Sequence, residues 1–277
     1  MIIPKLRQDV AAVAAHYDQL DPFYREIWGE HVHHGYWRTG RETPEAATEA
    51  LIDFLVERLD LAPGQEIVDI GCGYGATAGR LAGQFGVHVT GFTVSAAQAA
   101  IARERDGVAV FCQDWLENRL EPVRFDRAYA IESSEHMPDK QRFFAEAFRT
   151  LKPGGLLVLA VWLAGDQPRA WEVRHLLEPI CREGRLPSMG TGAEYDAMAV
   201  AAGFSVREQK DISAQVSKTW WICLRRVAAR LLTTPRYWRF LLDQREQNRV
   251  FILTLPRLIL AYRTKAMRYS VRVYRRD

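Results

Sequence analysis

Residues 67–75 read Ile67-Val68-Asp69-Ile70-Gly71-Cys72-Gly73-Tyr74-Gly75, IVDIGCGYG in one-letter code. Ile67, Val68 and Ile70 are apolar and β-branched, the composition of a buried strand. Three glycines then alternate with Cys72 and Tyr74, a density that lets backbone approach a ligand closely and turn sharply into a following helix. The N-terminus of such a helix presents unpaired N–H groups and a partial positive charge, which suit an anionic group. The loop is G-x-G-x-G with Asp69 two residues ahead of the first glycine, so it departs from the G-x-G-x-x-G of dinucleotide folds. Taken alone, these nine residues also read as an ordinary turn between a strand and a helix.

Outward from this stretch the chain alternates. After the loop a helix runs to about Phe85, a strand covers Val87 to Phe92, and Ser95-Ala96-Ala97-Gln98 opens a helix as a capping box. A strand over Val108–Cys112 ends in Gln113-Asp114-Trp115, and a strand over Phe125–Ile131 ends in Glu132-Ser133-Ser134-Glu135-His136-Met137-Pro138. A helix from Asp139 to Leu151 stops at Lys152-Pro153-Gly154-Gly155, and a fifth strand spans Leu156–Trp162. Upstream, Thr43-Pro44 caps and starts a helix with an apolar stripe at Leu51, Leu55, Val56 and Leu59, ended by Pro63-Gly64. Strands and helices in this rhythm imply an α/β fold, a parallel sheet with helices on both faces. Ligands of such sheets lie beyond the carboxyl ends of the strands. The glycine loop, Thr93, Asp114-Trp115 and the run Glu132–His136 all fall there.

Past Trp162 the rhythm changes. Helical stretches are expected over 169–183 and 195–202, a strand from Phe204 to about Ile212, and a last strand over Tyr269–Tyr274. Between those two strands, 218–265 is helical and rich in Trp, Leu and Arg, an insertion placed to form a lid over the strand ends. The expected division is an N-terminal helical arm over 1–42, an α/β core over 43–162, and a C-terminal part over 163–277 with the lid and the last two strands.

Length and composition describe a soluble globular protein: 277 residues, 48% hydrophobic, with a net charge of +3. Cys72, Cys112, Cys181 and Cys223 are widely spaced without a CxxC pair, which fits a reducing compartment and disfavours a metal site. Asp9, His16 and Asp18 interrupt the N-terminus before any signal region forms. The apolar run Val250–Leu255, closed by Pro256 and Arg257, is too short to span a bilayer, so a cytoplasmic location is expected. Charge is uneven: from Lys218 onward the chain has 15 Lys and Arg against 3 Asp and Glu, a net +12, and the preceding residues carry −9. Such an end could meet nucleic acid, a membrane surface or an acidic substrate, or could simply solvate amphipathic helices with arginine stems.

The segment HYDQLDPFYREIWGEHVHHGYW, residues 16–37, is aromatic and histidine-rich. Phe23, Tyr24 and Trp28 read as rings filling a groove. His33, His34 and Tyr36 read as a site, because three polar rings beside Gly35 are hard to satisfy in a core. Their spacing matches no metal ligand set.

With these pieces in hand, the chain resembles the class I S-adenosylmethionine-dependent methyltransferases over nearly its whole length. It is most similar to the γ-tocopherol methyltransferase group and its relatives, the sterol, glycine-type N- and natural-product methyltransferases, with cyclopropane-fatty-acid synthases more distant. Tyr17-Asp18, IWGEHVHHGYW, DIGCGYG, GFTVSAAQ, FDRAYAIESSEHMPDK and LKPGG carry the resemblance. It implies a Rossmann-like fold with a seven-stranded, mostly parallel sheet, and S-adenosyl-L-methionine as cofactor. Gly71 and Gly73 would line the methionine half, Asp69 would hold the loop and the amino group, and Ile131 would offer its backbone carbonyl. Thr93 stands where an acid usually takes the ribose hydroxyls, and Gln98 would share that task or serve the capping box alone. Asp114 would accept from the adenine amino group and Trp115 would stack on the ring. Tyr17, His33 and Tyr36 match positions that close over the methionine end.

The resemblance also has departures. Cyclopropane synthases have a cysteine at the place of His34 and a histidine at the place of Trp162, which speaks against cyclopropanation. Base-modifying nucleic-acid enzymes carry an Asn/Asp-Pro-Pro-aromatic run where this chain has ESSEHMP. The expected activity is transfer of a methyl group to carbon or oxygen of a small, lipophilic acceptor. No nucleic-acid partner is expected, membrane contact is at most peripheral, and a homo-oligomer is left open. An N-methyltransferase of a small amine and a non-catalytic cofactor-binding protein are the alternatives. A hydroxyl or carbon nucleophile needs a base, and Glu135 is the first choice, with Glu132, His136 and His34 as the other candidates.

Overall fold

The computed structural model describes residues 1–6, 8–243 and 250–277. Seven strands form one sheet in the order β3-β2-β1-β4-β5-β7-β6. They are β1 (Glu66–Ile70), β2 (His88–Thr93), β3 (Val108–Cys112), β4 (Phe125–Ile131), β5 (Leu151–Ala164), β6 (Phe204–Asp211) and β7 (Met267–Arg276). Pairings among β1 to β5 are parallel, and β7 runs antiparallel between β5 and β6. This is the seven-stranded, mostly parallel sheet that the sequence implied. Strand order reverses between β1 and β4, and that switch point opens the crevice at the carboxyl edge where ligands bind in such sheets.

The elements follow from local chemistry. α1 (Val10–Ile27) is capped by Asp9, whose side chain accepts from Ala12 N. α2 (Pro44–Leu59) begins as Thr43 predicted, with Thr43 accepting from Ala46 N and Pro44 in the first turn. α3 (Ala76–Phe85) follows the glycine loop, α4 (Ala96–Ala102) is capped by Ser95, and α5 (Lys140–Thr150) is capped by Asp139. β1 and β4 are buried on both faces, and two apolar clusters cover the sheet. One joins Leu51, Leu55, Ile67 and Val89 to the lid through Trp220 and Leu258. The other packs Val68, Phe143, Phe144, Leu157 and Tyr274.

The expected insertion lies between β6 and β7: helices Lys218–Thr233, Pro235–Leu242 and Val250–Thr264. Arg245 and Arg249 of the basic stretch lie outside the described residues. β5 runs two residues past Trp162, where the sequence drew the core boundary, and β6 and β7 complete the same sheet. The last third of the chain is therefore woven into the core rather than appended to it. No described helix is long and apolar enough to cross a membrane.

Candidate active site

Each glycine of the loop solves a different problem. Gly71, Gly73 and Gly75 all have positive φ, +93°, +54° and +70°, a region that side chains with a Cβ avoid. A Cβ on Gly71 would collide with Ser133, which follows β4 and donates its hydroxyl to the Ile70 carbonyl. A Cβ on Gly73 would meet nothing within 4 Å, because Gly73 faces an open cleft. Gly71 is thus a packing glycine and Gly73 a ligand-facing one.

That cleft has about 990 Å³ of empty space when its solvent-open part is included, and gathers residues from the ends of β1, β2, β3 and β4. Asp69, Gly71, Gly73, Thr93, Gln98, Asp114, Trp115 and Ile131 all line it, as do Tyr17 and His33 from the N-terminal arm. Asp69 accepts from Tyr129 Oη at 2.7 Å, and burial lifts its carboxyl to about 7. Thr93 Oγ1 donates to Gln98 Oε1 at 2.8 Å, while Ser95 Oγ accepts from Gln98 N at 3.1 Å. Gln98 therefore turns its side chain toward Thr93 instead of closing the second half of a capping box. Asp114 accepts from Leu116 N through Oδ1 at 2.9 Å, and burial raises its pKa. Trp115 is buried edge-on to Phe92, with ring centroids 5.2 Å apart, and its Nε1 has no partner among the described residues.

α1 closes over the cleft through three anchors. Tyr74 Oη donates to Asp21 at 2.7 Å, Asp18 accepts from Ser95 Oγ and Ala97 N at the start of α4, and Tyr17 Oη meets His136 Nε2 at 3.1 Å. His33 directs Nδ1 to the His34 carbonyl at 2.9 Å; a carbonyl only accepts, so that nitrogen carries the proton. Its Nε2 is then a buried lone pair without a partner among the described residues. Burial pushes the ring down to about 4, so His33 is neutral at pH 7.

A second, smaller chamber adjoins the cleft, with about 500 Å³ of empty space when its solvent-open part is included and about 40 Å³ free to a water-sized molecule. Its wall is aromatic: Tyr17, Tyr24, Trp28, Trp162 and Trp220, with His16 hydrogen-bonded to Tyr24 at 2.8 Å. Tyr17, Val32, Glu132 and His136 line both spaces and so form the partition between them. Phe23 packs against Tyr237 and Phe240 as a groove-filling ring, and Tyr24 and Trp28 pack in the same apolar cluster as expected while also lining the chamber.

The two carboxylates after β4 have opposite surroundings. Glu132 adopts φ +51°. Its Oε1 accepts from His34 N (2.7 Å), His34 Nδ1 (2.9 Å) and Tyr269 Oη (2.8 Å), and its Oε2 accepts from Trp162 Nε1 (2.8 Å). Burial alone would raise its pKa, but the His34 and His33 rings and these donors hold it at about 2. Glu135 accepts from Trp162 N at 2.6 Å and contacts Ser134 Oγ at 3.2 Å. Burial wins over the Trp162 N–H there and lifts it to about 8, so Glu135 is protonated at pH 7. The turn carrying it is clamped by buried Lys140, whose Nζ donates to the Glu135 and Met137 carbonyls and to Ser188 Oγ.

Three of the expected site residues have surroundings that differ from the expectation. His34 is enclosed: Nδ1 serves Glu132, Nε2 lies 3.3 Å from Tyr262 Oη, and Trp162, Trp220 and Tyr269 pack around the ring. Tyr36 does not line the cleft, because Tyr36 N bonds to Ala47 O and carries the ring onto Phe54 of α2. Glu135, the first choice as base, is in its proton-carrying form, and Glu132 already accepts four hydrogen bonds. His136 has the geometry of a base instead. Its Nδ1 points to the Arg185 carbonyl at 3.4 Å and so bears the proton, leaving Nε2 unprotonated at the partition, where Tyr17 Oη now donates. Burial lowers its pKa to about 4. The sequence missed Tyr129, Trp162, Trp220, Tyr269 and the Arg185 carbonyl. Arg185 has φ +58° and no motif around it. No group of His, Cys, Asp and Glu among the described residues is arranged to hold a metal ion.

The model of the family described as "Mycolic acid cyclopropane synthetase" matches residues 4–233. The chain is similar to 27-O-demethylrifamycin SV methyltransferase of Amycolatopsis mediterranei (strain S699), at 33% identity over 218 residues, 74% of this chain and 77% of that protein. It is also similar to the chloroplastic tocopherol O-methyltransferase of Arabidopsis thaliana, at 26% identity over 287 residues, 94% of this chain and 80% of that protein. The crystal structure of mycolic acid cyclopropane synthase CmaA1 complexed with SAH and CTAB has the same fold, with a TM-score of 0.85, 24% identity, and 98% and 99% of the two chains covered.

Proposed function

The chain belongs to the mycolic acid cyclopropane synthetase family and is an S-adenosylmethionine-dependent methyltransferase, and from that premise we propose that it methylates an oxygen of a small, largely apolar acceptor held in the aromatic chamber, with His136 as general base. S-adenosylmethionine, when bound, supplies an activated methyl group on a sulfonium. The residues of the larger cleft fit that cofactor by chemistry. Gly73 leaves room for its methionine portion, His33 Nε2 is an orphaned acceptor for an ammonium, and Asp69 lines the same cleft. The Thr93–Gln98 pair meets ribose hydroxyls, Asp114 keeps an oxygen for an amino group, and Trp115 offers a ring to adenine.

The observation that carries the proposal is the Tyr17–His136 hydrogen bond at the partition. An acceptor hydroxyl entering from the aromatic side takes the place of Tyr17 Oη on Nε2. His136 then receives its proton as the oxygen gains the methyl group. The Arg185 carbonyl keeps the proton on Nδ1, so Nε2 is already in the accepting state at neutral pH. A chain with this wall of rings excludes water and positions the acceptor, which is the larger part of catalysis for an activated methyl donor. Protonated Glu135 supplies a hydrogen-bond donor to a second polar atom of the acceptor. A carbon acceptor is the second reading, favoured by the ionised Glu132 beside Trp162 in the chamber wall, where positive charge on carbon would be stabilised.

Labelled cofactor and a panel of phenols, prenyl compounds and amines test this, with products read by mass spectrometry. His136→Asn should lower kcat by ~10²–10⁴-fold, the usual contribution of a general base, with cofactor affinity unchanged. Glu135→Gln should lower it far less. The reverse ranking would return the base role to Glu135, and full kcat in both would leave positioning alone as the source of rate.

A further inference from the structure

The outer face of the lid is unlike the rest of the surface. Between Lys218 and Leu242 the chain has six cations, Lys218, Arg225, Arg226, Arg230, Arg236 and Arg239, and no Asp or Glu. Helix Lys218–Thr233 turns Trp220, Cys223 and Val227 into the core and leaves Trp221 50% and Leu232 87% exposed. Trp221, Arg225, Ala228 and Leu232 are spaced by four, three and four residues, so they lie along one side of the helix. Helix Pro235–Leu242 buries Tyr237 and Phe240 and leaves Trp238 50% and Leu242 72% exposed, four residues apart. Trp238 Nε1 donates to Leu231 O at 2.6 Å, which brings the two exposed stripes together at one corner. Arg226, Arg230 and Arg236 are turned inward onto Glu45 and Glu26, while Arg225 and Arg239 have no ion pair among the described residues.

The geometry points to this corner of the lid as a docking surface for an anionic lipid bilayer. Two tryptophans and two leucines standing out of short helices, flanked by unpaired arginines, match the side chains that enter the headgroup boundary from an amphipathic helix. Arginine charge answers the negative potential of an anionic leaflet. A second copy of the chain would bring the same cations face to face. A duplex nucleic acid would use Arg225 and Arg239 but leave Leu232 and Leu242 without a role, since phosphate contacts need no apolar partners. The opposite side of the same helix places Trp220 in the wall of the aromatic chamber, so the surface that meets lipid and the wall that meets acceptor are the two faces of one helix.

Flotation of the full chain with vesicles tests this, comparing phosphatidylcholine alone with phosphatidylcholine containing one third phosphatidylglycerol. The wild type should float with the anionic vesicles at low salt and stay in solution with the neutral ones. The quadruple variant Trp221→Ser, Leu232→Ser, Trp238→Ser, Leu242→Ser should bind the anionic vesicles about tenfold or more weakly, and Arg225→Gln with Arg239→Gln should lose a similar factor. Leu232→Ser alone, at a position 87% exposed, provides a variant whose fold is not at risk, and unchanged cofactor affinity reports folding in all three. Equal flotation of wild type and the serine variant would overturn the proposal. So would absence of anionic-vesicle binding in the wild type, or binding to duplex DNA that the arginine variant loses and the serine variant keeps.

Discussion

The larger cleft takes its shape from backbone, whereas the aromatic chamber takes its shape from side chains. The cleft is cut by consecutive strand ends, and its key surface is a loop whose three glycines expose main chain. The chamber is assembled from α1, Trp28 and Val32 just after it, the turn after β4, Trp162 on β5, the segment 184–186 and Trp220 of the lid, stretches that meet only in the folded protein. Backbone recognition needs few particular side chains and survives wide sequence change. A chamber of rings around two buried acids depends on which donors reach which oxygen. Glu132 and Glu135 make the point: three residues apart, one is held at about 2 and the other lifted to about 8. The same residue type therefore carries charge at one position and a proton at the other.

The largest test of that difference is Glu132→Gln. An amide can accept at one end only, so either Trp162 Nε1 or the group of His34 and Tyr269 donors would face an N–H. Breaking a buried charged network of this kind costs about 3–5 kcal/mol, and chemical denaturation should show that loss. A stability change within experimental error would mean that the knot joining arm, sheet and lid is ornamental.

Glu135→Gln should move stability in the opposite direction, with a defined pH dependence. Folded Glu135 has its pKa raised from 4.5 to about 8. Between those values the native state holds a proton that the unfolded state has released, so the stability tied to this group is full below pH 4.5 and lost as pH rises toward 8. Glutamine keeps an acceptor for Trp162 N without titrating. The variant and wild type should melt together near pH 4.5, and the variant should gain by a few kcal/mol approaching pH 8. A constant difference across that range would refute the protonated assignment.

Legibility in the sequence followed the same division. The strands, the glycine loop and the caps at Thr43, Ser95 and Asp139 are local signals, since periodicity and turn chemistry act within a few residues. The cleft residues followed from them because topology alone carries strand ends to one edge. The chamber did not. Nothing near Glu135 says that Trp162 N will be its partner, and nothing near His34 says that Glu132, 98 residues on, will absorb its polarity. Tyr36 failed for a related reason, as one hydrogen bond to Ala47 O decides which way its ring turns. Arg185 acts through its carbonyl, and a residue letter does not encode where a carbonyl points.

Within the cleft, Gly73→Val probes backbone recognition directly. Valine at φ +54° carries strain of order 1–3 kcal/mol, and its methyls enter the space now open beside the loop. That strain lowers stability with or without cofactor, while the methyls should lower cofactor affinity by about tenfold or more in a protein that stays folded. Calorimetry showing wild-type affinity would remove the loop from the binding surface. Gly71→Ala is the contrasting substitution: its Cβ meets Ser133, so stability should fall as well.

The smallest effect is the most discriminating within the cleft, because it asks whether a side-chain pair adds anything to a backbone-built site. Thr93 Oγ1 donates to Gln98 Oε1 and accepts from Ser95 N at 3.3 Å. Valine has nearly the same shape, so Thr93→Val removes only the hydroxyl and leaves the Gln98 oxygen unpaired, a loss of about 1–2 kcal/mol. If the pair holds the ribose, that loss should be seen in cofactor affinity, roughly tenfold by calorimetry. Thr43→Ala supplies the control: it deletes the α2 cap, outside the cleft lining, at a cost of about 1 kcal/mol and should lower Tm with affinity unchanged. Should Thr93→Val behave like Thr43→Ala, Thr93 and Gln98 belong to the helix start, and the cleft recognises its cofactor with main chain and Asp114 alone.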